Sequence, residues 1–455
     1  MHPQPAKTIF LTSFHVLISR NILSTPILKM LTDKGVQIVI LVPDYKKEFF
    51  EKNFSGPNII IEGIEAYGFS KSFIGLFFKR LSRVILDTDT VRIRMKYKLV
   101  VERKFIYYFL FFVPAKILGK SKTVISLIRF LDYKLRSKPG YFLDLFNRYH
   151  PDLIVATDVN NENDVALLQD AKAKKMPTAA IVRSWDNLTN FLMRSTPDWL
   201  VVANEIMKSQ VITYHGLRAE NVLVTGMPHY DRYIRGATMS RKEFFDSIDA
   251  DQRKKLILYV PVADYRVKEN DIDSYIIRLL SSLDVNTLVR FPPAATVAVD
   301  KTQFPENVIF DEPGVRFGGK GDSEMTKEDD DGLINILSYS DVVVSGPGTM
   351  NIDAAIFDKP IVLVNLYPTQ RIQLEGIKEY GYTHIQNILK TGGIRMATNK
   401  EELFDFINLY FKNPSLDADG RRRITREQCY KLDGRSSERV TNHILRFLSE
   451  NEIIA

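Results

Sequence analysis

The sequence predicts an α/β chain built from two parallel-sheet domains. Three observations carry that reading. Apolar runs rich in Val, Ile and Leu recur along the chain with helix-period segments between them, the pattern of parallel strands buried on both faces. The pattern stops at 229–255, a polar stretch of mixed charge, and then restarts. A chain of 455 residues is also too long for one hydrophobic core, so two or three domains are expected.

The elements follow in order. KTIFLTS (7–13) reads as a first strand. LSTPILKMLTDKG (23–35) reads as a helix, with Pro26 near its start and Gly35 closing it. VQIVILVP (36–43) and NIIIE (58–62) are the next strands. A distinct block at 67–140 interrupts the alternation. It resumes with DLIVATD (152–158), a helix over 162–174, PTAAIVRS (177–184), DWLVVAN (198–204), a helix over 204–215 and NVLVTG (221–226). Residues 229–255 carry no strand pattern and read as an inter-domain linker with some helix. Beyond it, KLILYVPV (255–262), NTLVRFPP (286–293), NVIFDE (307–312), DVVVSG (341–346), PIVLVN (360–365) and THIQN (383–387) read as strands. GGKGDSEMTKEDDDG (318–332) reads as a charged loop, and the chain ends in helices near 399–411, 418–430 and 435–450. The domains are therefore expected at 1–235 and 250–430, with 431–455 as a closing helix and a cleft between the two halves.

Composition narrows the class. A hydrophobic fraction of 45% with 26% charged residues is that of a globular protein. One cysteine, Cys429, excludes an intrachain disulfide framework and fits a reducing compartment. The seven histidines are scattered and show no metal-ligand spacing, so no metal is expected. The N-terminal segment lacks a charged n-region and a small-residue cleavage site, and reads as a buried strand. The longest apolar run, FIYYFLFFVPA (105–115), is about half the length of a membrane-spanning helix and contains Pro114.

The net charge of +7 is unevenly spread. Residues 67–140 hold seventeen Lys/Arg against four Asp/Glu, interleaved with Phe, Tyr, Leu and Ile, so the remainder of the chain is mildly acidic. No nucleic-acid module is recognisable there. Cationic heads beside large apolar side chains suit an anionic membrane surface. A helical insertion that buries its aromatic residues and leaves its lysines solvated is the structural alternative.

SGPGT (345–349) sits where ligands bind in such folds, after a buried strand and before a helix. Glycines let backbone N–H groups approach an anion, Ser345 and Thr349 add hydroxyls, and Thr349 stands where it could cap the next helix. The positive end of that helix would suit a phosphate. Asp353, one turn on, could accept hydrogen bonds from ribose. A capped turn with no ligand explains the local pattern equally well. Neither a Walker sequence nor GxGxxG is present.

SGPGTMNIDAAIFDKPIVLVN (345–365) resembles the donor-nucleotide motif of GT-B glycosyltransferases of the bacterial surface-polysaccharide type. CDP-glycerol glycerophosphotransferases and UDP-N-acetylglucosamine 2-epimerases are cousins of that type. Residues 151–190, the segment ENVLVTGMPHYDRY (220–233) and CYKLDGRSSERVTNHILRFL (429–448) resemble further parts of the same superfamily in the same order. The block 67–140 matches no part of it. The resemblance implies two Rossmann-like domains with an interdomain cleft. It implies Ser345, Gly346, Gly348 and Thr349 on a diphosphate and Asp353 on the ribose. Many relatives have Glu at that last position, which puts the geometry here in question. A His-Pro pair in relatives is matched by Pro292-Pro293, so that histidine is lost, and Arg290 remains as a phosphate contact.

Glycosyl transfer with inversion needs a base, and positive charge or dipoles on the leaving diphosphate. In this fold the base comes from the first domain, near strand ends. His15, Asp158 and Asp186 qualify, with Asp186 and His15 ranked first for transfer and Asp158 first for an epimerase. Packing, helix capping and an Asx turn are their respective structural alternatives. Trp185 and Asn187 flank Asp186 and suggest a sugar platform. Arg20 and Arg183 are phosphate candidates, and His229 lies where the chain leaves the first domain.

The resulting expectation is a metal-independent transferase that needs no cofactor. Its co-substrate is a nucleotide-sugar and its acceptor a surface polysaccharide or lipid-linked glycan. It is cytoplasmic, peripheral to the inner face of the cell membrane, and binds no nucleic acid. The alternatives are an epimerase, a CDP-glycerol-type glycerophosphotransferase, and a non-catalytic binding protein.

Overall fold

Seven short strands of the first half line up in one sheet. They are β1 (Thr8–Thr12), β2 (Gln37–Pro43), β3 (Ile59–Ile64), β4 (Leu153–Ala156), β5 (Thr178–Ile181), β6 (Trp199–Val202) and β7 (Val222–Val224), in the order β3-β2-β1-β4-β5-β6-β7 with every pairing parallel. The computed structural model describes residues 7–65, 72–136, 138–267, 271–293, 295–318, 322–369 and 376–450. Residues 67–71 and 137 of the basic block, 319–321 of the charged loop and 451–455 of the terminal segment lie outside the described residues.

Strand alternation divides the side chains of the sheet between two cores. Ile9, Leu11, Ile38 and Ile40 fall on one face with the helix Ile27–Thr32. Phe10, Val39, Leu41 and Ile154 fall on the other with Phe142, Phe146 and Leu167. Both faces are covered, as the continuous apolar runs require.

The second half forms β8 (Leu256–Val260), β9 (Asn286–Arg290), β10 (Val308–Asp311), β13 (Val342–Ser345), β14 (Ile361–Val364) and β15 (Arg395–Ala397), in the order β10-β9-β8-β13-β14-β15, again all parallel. A small antiparallel pair, β11 (Val315–Arg316) and β12 (Ser323–Glu324), stands apart.

The chain divides into two compact units. The first is Met1–Met95, Lys104–Asp231 and Tyr430–Ala455; the second is Lys96–Arg103 and Arg232–Cys429. The C-terminal segment therefore belongs to the first unit. Its helix Ser436–Glu450 adds Val440, Ile444, Phe447 and Leu448 to the β1–β2 core, and the Phe447 ring stacks on Trp199 at 4.3 Å between centroids. Burying each such side chain stabilises by about 1.5–3 kcal/mol.

Three expectations need correction. THIQN is not a strand: it opens the helix Thr383–Leu389, whose His384, Ile385 and Ile388 are buried, and the last strand is β15. The charged stretch at 318–332 is not only a loop. Thr326 and Asp329 form a reciprocal capping box that starts the helix Lys327–Tyr339. Thr349 does stand at the N-cap position of the helix Met350–Ile356, but its side chain makes no capping bond.

The basic block is helical, with Phe73–Ser82, Asp89–Val100, Val113–Leu118 and Lys122–Lys134 as its main helices. Val84, Ile85, Val91, Met95, Phe112 and Ile125 pack with Leu192, outside the block, in a small core. No helix among the described residues is long and apolar enough to cross a membrane.

Candidate functional site

Parallel sheets bind ligands beyond the carboxyl ends of their strands, where the strand order reverses direction. In the first unit that point lies between β1 and β4. The loops that leave these two strands, and the one that leaves β5, carry His15, Asp158 and Arg183. All three line a cavity of about 390 Å³.

Asp158 is nearly buried. Its Oδ2 accepts from Arg183 Nε at 2.8 Å, and its Oδ1 accepts from the Asn160 N–H at 2.9 Å. The pair is thus both a turn anchor and a charged wall. His15 accepts at Nδ1 from the Leu17 N–H at 3.2 Å. Burial, helped by Arg183, pulls its pKa down to about 4 against the opposing charges of Asp158 and Asp186. The ring is therefore neutral near pH 7. With Nδ1 accepting, its proton sits on Nε2, so the resting ring is a hydrogen-bond donor.

Asp164 lies behind this wall. It is fully buried and accepts from the Thr12 hydroxyl, and burial, with the charge of Asp158, pushes its carboxyl well above the usual range.

Other walls of this cavity were not foreseen. The helix Phe73–Ser82 of the basic block supplies Lys79, which pairs with Glu162 at 3.5 Å. Arg83 follows that helix and lies over the Phe191 ring at 5.5 Å. Asn160, Asn161 and Asn163 add amides. The insertion is thus part of the cavity wall.

Asp186 precedes the short helix Asn187–Asn190 and accepts at Oδ2 from Asn190 Nδ2 at 3.0 Å. It acts on His15 through its charge but is not among the cavity's lining residues. Trp185 is not the exposed platform that its polar neighbours suggest, because its side chain is buried. Asn187 is also buried, with Oδ1 accepting from the Ser184 N–H at 2.9 Å, which makes it a turn residue. Arg20 is half-buried on the turn Ser19–Leu23 after β1. His229 is buried with its ring 4.1 Å from that of Tyr230.

In the second unit the order reverses between β8 and β13. The 345–349 loop leaves β13 at that point. Asn351 holds it: Nδ2 donates to the carbonyls of Gly346 at 3.1 Å and Gly348 at 3.0 Å, while Oδ1 accepts from the Ser345 hydroxyl at 2.8 Å. The Ser345 hydroxyl is consequently occupied within the loop. At Gly346 a Cβ would meet Val262 at 3.1 Å, so the close approach of β8's loop explains the glycine; at Gly348 the nearest atom to such a Cβ is Arg266 Nη2, 3.8 Å away. Arg266, in the loop after β8, thus brings a guanidinium to the open side of Gly348. No local motif in the sequence marks it.

Two expected donor contacts are engaged elsewhere. Asp353 is buried and accepts from the Tyr233 hydroxyl at 3.2 Å, which takes it from a ligand surface. Arg290 is buried, ion-paired with Asp311, and donates to the Asp329 carbonyl at 3.0 Å.

The model of the CDP-glycerol:poly(glycerophosphate) glycerophosphotransferase family matches residues 145–446, about two thirds of the chain. No curated protein matches it by sequence. Among solved structures, it is similar to UDP-GlcNAc 2-epimerase from Neisseria meningitidis bound to UDP-GlcNAc, with 12% identity, 96% of this chain and 100% of that one covered, and a TM-score of 0.52. A variant of the wall teichoic acid polymerase TagF gives 11%, 98%, 90% and 0.54. The S. aureus MnaA–UDP co-structure gives 13%, 97%, 97% and 0.53. Identities this low carry the fold alone, the two-sheet α/β architecture of GT-B proteins.

Proposed function

The chain belongs to the CDP-glycerol:poly(glycerophosphate) glycerophosphotransferase family, and from that membership we propose that it moves a nucleotide-activated unit onto a hydroxyl of a cell-surface polymer or lipid-linked glycan. The first reading is glycerol-phosphate transfer from a CDP-linked donor. The acceptor oxygen bonds to the phosphorus that carries glycerol, the bond from that phosphorus to CMP breaks, and the hydroxyl proton passes to a general base. The observation that carries the donor site is the 345–349 loop, held by Asn351 at the switch point of its sheet with Arg266 beside Gly348. Arg266 and backbone N–H groups serve the diphosphate in this reading, without a resident metal.

Glycosyl transfer from a nucleotide-sugar is the second reading. It is favoured by the amides of Asn160, Asn161 and Asn163 in the first unit's cavity, which suit sugar hydroxyls. The acceptor oxygen then bonds to the anomeric carbon and a nucleoside diphosphate leaves. Both readings include attachment to an anionic membrane face on the cytoplasmic side. Phe73, Ile106, Phe109, Leu110 and Ile117 are each at least 60% exposed in the basic insertion, a face that suits a lipid surface.

The nucleotide released in the presence of a hydroxyl acceptor separates these readings. CMP from CDP-glycerol supports the first, and a nucleoside diphosphate from a nucleotide-sugar supports the second. Arg266→Ala should weaken nucleotide binding tenfold or more. Binding of none of CDP-glycerol, UDP-, GDP- or CDP-linked sugars would overturn both, and sugar-nucleotide conversion without acceptor would mean an epimerase.

A further inference from the structure

A second cavity opens in the first unit and shares Arg194 with the wall of the first cavity. It measures about 310 Å³ and lies between the insertion helix Lys122–Lys134, the helix Glu162–Ala173 and residues 194–196. Its chemistry is one-sided. Arg129, Lys172 and Arg194 line it with the hydroxyls of Ser126, Tyr133, Ser195 and Thr196, and no Asp or Glu among the described residues does. The acids nearest in sequence on those helices are engaged. Asp132 is gripped at both oxygens by Arg194 at 2.8 Å, and Asp170 accepts from the N–H groups of Gly140 and Phe142.

Two polar groups at the cavity are left without partners among the described residues. Gln169 is 1% exposed, yet neither its Oε1 nor its Nε2 has a hydrogen bond. Arg129 donates through Nε to Met193 O and through Nη1 to His215 O, both at 2.9 Å, and its Nη2 has no acceptor. Burial without a counter-ion pulls the Arg129 pKa down. A buried amide and guanidinium left this way cost stability unless something binds them. A partner for Arg129 Nη2 and Gln169 Nε2 must accept hydrogen bonds and suits a negative charge, while Gln169 Oε1 calls for a donor such as a headgroup hydroxyl.

The source of that anion follows from the neighbouring surface. On the helix Lys122–Lys134, Ser126, Arg129, Phe130 and Tyr133 line the cavity, while Leu127, Phe130 and Leu131 are exposed. Phe130 belongs to both strips, so an apolar exposed face borders the mouth of an anion-binding cavity. We propose that this cavity binds the phosphate headgroup of an anionic phospholipid whose acyl chains lie along the exposed apolar strip. The proposal gives the membrane attachment above a specific contact, but a soluble lipid tests it independently of that attachment.

The test is titration of the full chain with dioctanoyl phosphatidylglycerol, dioctanoyl phosphatidylcholine and inorganic phosphate by calorimetry. Phosphatidylglycerol should bind at least tenfold tighter than the other two. Gln169→Leu should lower that affinity tenfold or more while leaving the melting temperature equal or higher, since it removes an unpartnered buried amide. Arg129→Gln should lower it further. Equal affinity for inorganic phosphate would overturn the lipid assignment, and unchanged affinity in Gln169→Leu would overturn the cavity. Sedimentation with anionic vesicles is the separate arm. Its absence alongside short-chain binding sinks only the membrane reading, and sedimentation without short-chain binding sinks only the cavity.

Discussion

Replacing Asn351 by Asp tests whether the 345–349 loop is held for a ligand. The change is nearly isosteric, so it alters bonding and little else. The oxygen that accepts from Ser345 is kept. The nitrogen that donates to Gly346 O at 3.1 Å and Gly348 O at 3.0 Å becomes an oxygen facing two carbonyls. Each acceptor left unmet inside the protein costs about 1–3 kcal/mol, so the pair costs about 2–6 kcal/mol before repulsion is counted. If the loop stays closed, this appears as lost stability in urea. If the loop opens instead, it appears as nucleotide affinity, where about 2 kcal/mol is roughly thirtyfold. The introduced carboxyl can restore one donor by staying protonated, so its folded pKa rises above the unfolded value. The variant is then least impaired below about pH 4 and loses stability as pH rises through the raised folded pKa. Urea unfolding and calorimetry with CDP, each at pH 4.5 and pH 7.5, give the two numbers. Wild-type values in both would refute the reasoning.

His15→Gln and His15→Ala should separate two roles. If the ring only donates from Nε2, glutamine keeps turnover within about tenfold while alanine loses more. If it removes the acceptor proton, both lose about 10²–10⁴-fold. Because the pKa of His15 is held near 4, the acid limb of kcat/KM should fall there and not near 6.5. His215 makes a stability prediction. It is buried, accepts at Nδ1 from the Met193 N–H, sits at 2.9 Å between Nε2 and Leu188 O, and has a pKa lowered to about 4, chiefly by burial. The unfolded chain takes up that proton near pH 6.5, so stability is lost as pH falls from about 6.5 to about 4, by about 3 kcal/mol. Denaturant midpoints of wild type and His215→Gln across that range should converge at acid pH, and parallel curves would refute the assignment.

The strands were legible because parallel strands buried on both faces leave continuous apolar runs rich in Val and Ile, bounded by turn residues. Errors fell where the pattern is short. Five residues of THIQN fit a strand as well as a helix, and only the burial of His384, Ile385 and Ile388 decides. The capping box of Thr326 and Asp329 was visible as Thr-x-x-Asp, but the run of charges around it concealed the helix start. At the candidate site, His15, Asp158 and Arg183 could be anticipated because each follows a recognisable strand. Arg266 could not. It stands some eighty residues before Gly348, and only the adjacency of β8 and β13 in the sheet joins their loops. The same holds for Arg83 and Phe191, whose contact depends on how the insertion folds back. Trp185 shows the converse failure, since polar neighbours in sequence say nothing about what packs over a ring.

The terminal helix Ser436–Glu450 bears on biosynthesis. Val440, Ile444, Phe447 and Leu448 complete a core whose other members lie mostly in the first two hundred residues. A ribosome must therefore make all of Arg232–Cys429 before the older half can close. At about 5–20 residues per second, roughly 200 residues impose a delay of about 10–40 s. During that interval the younger half can fold first, while the nascent older half carries an unsealed apolar groove. This late-translated segment then acts as a latch, and a premature stop near Tyr430 would leave the groove open for chaperones to hold.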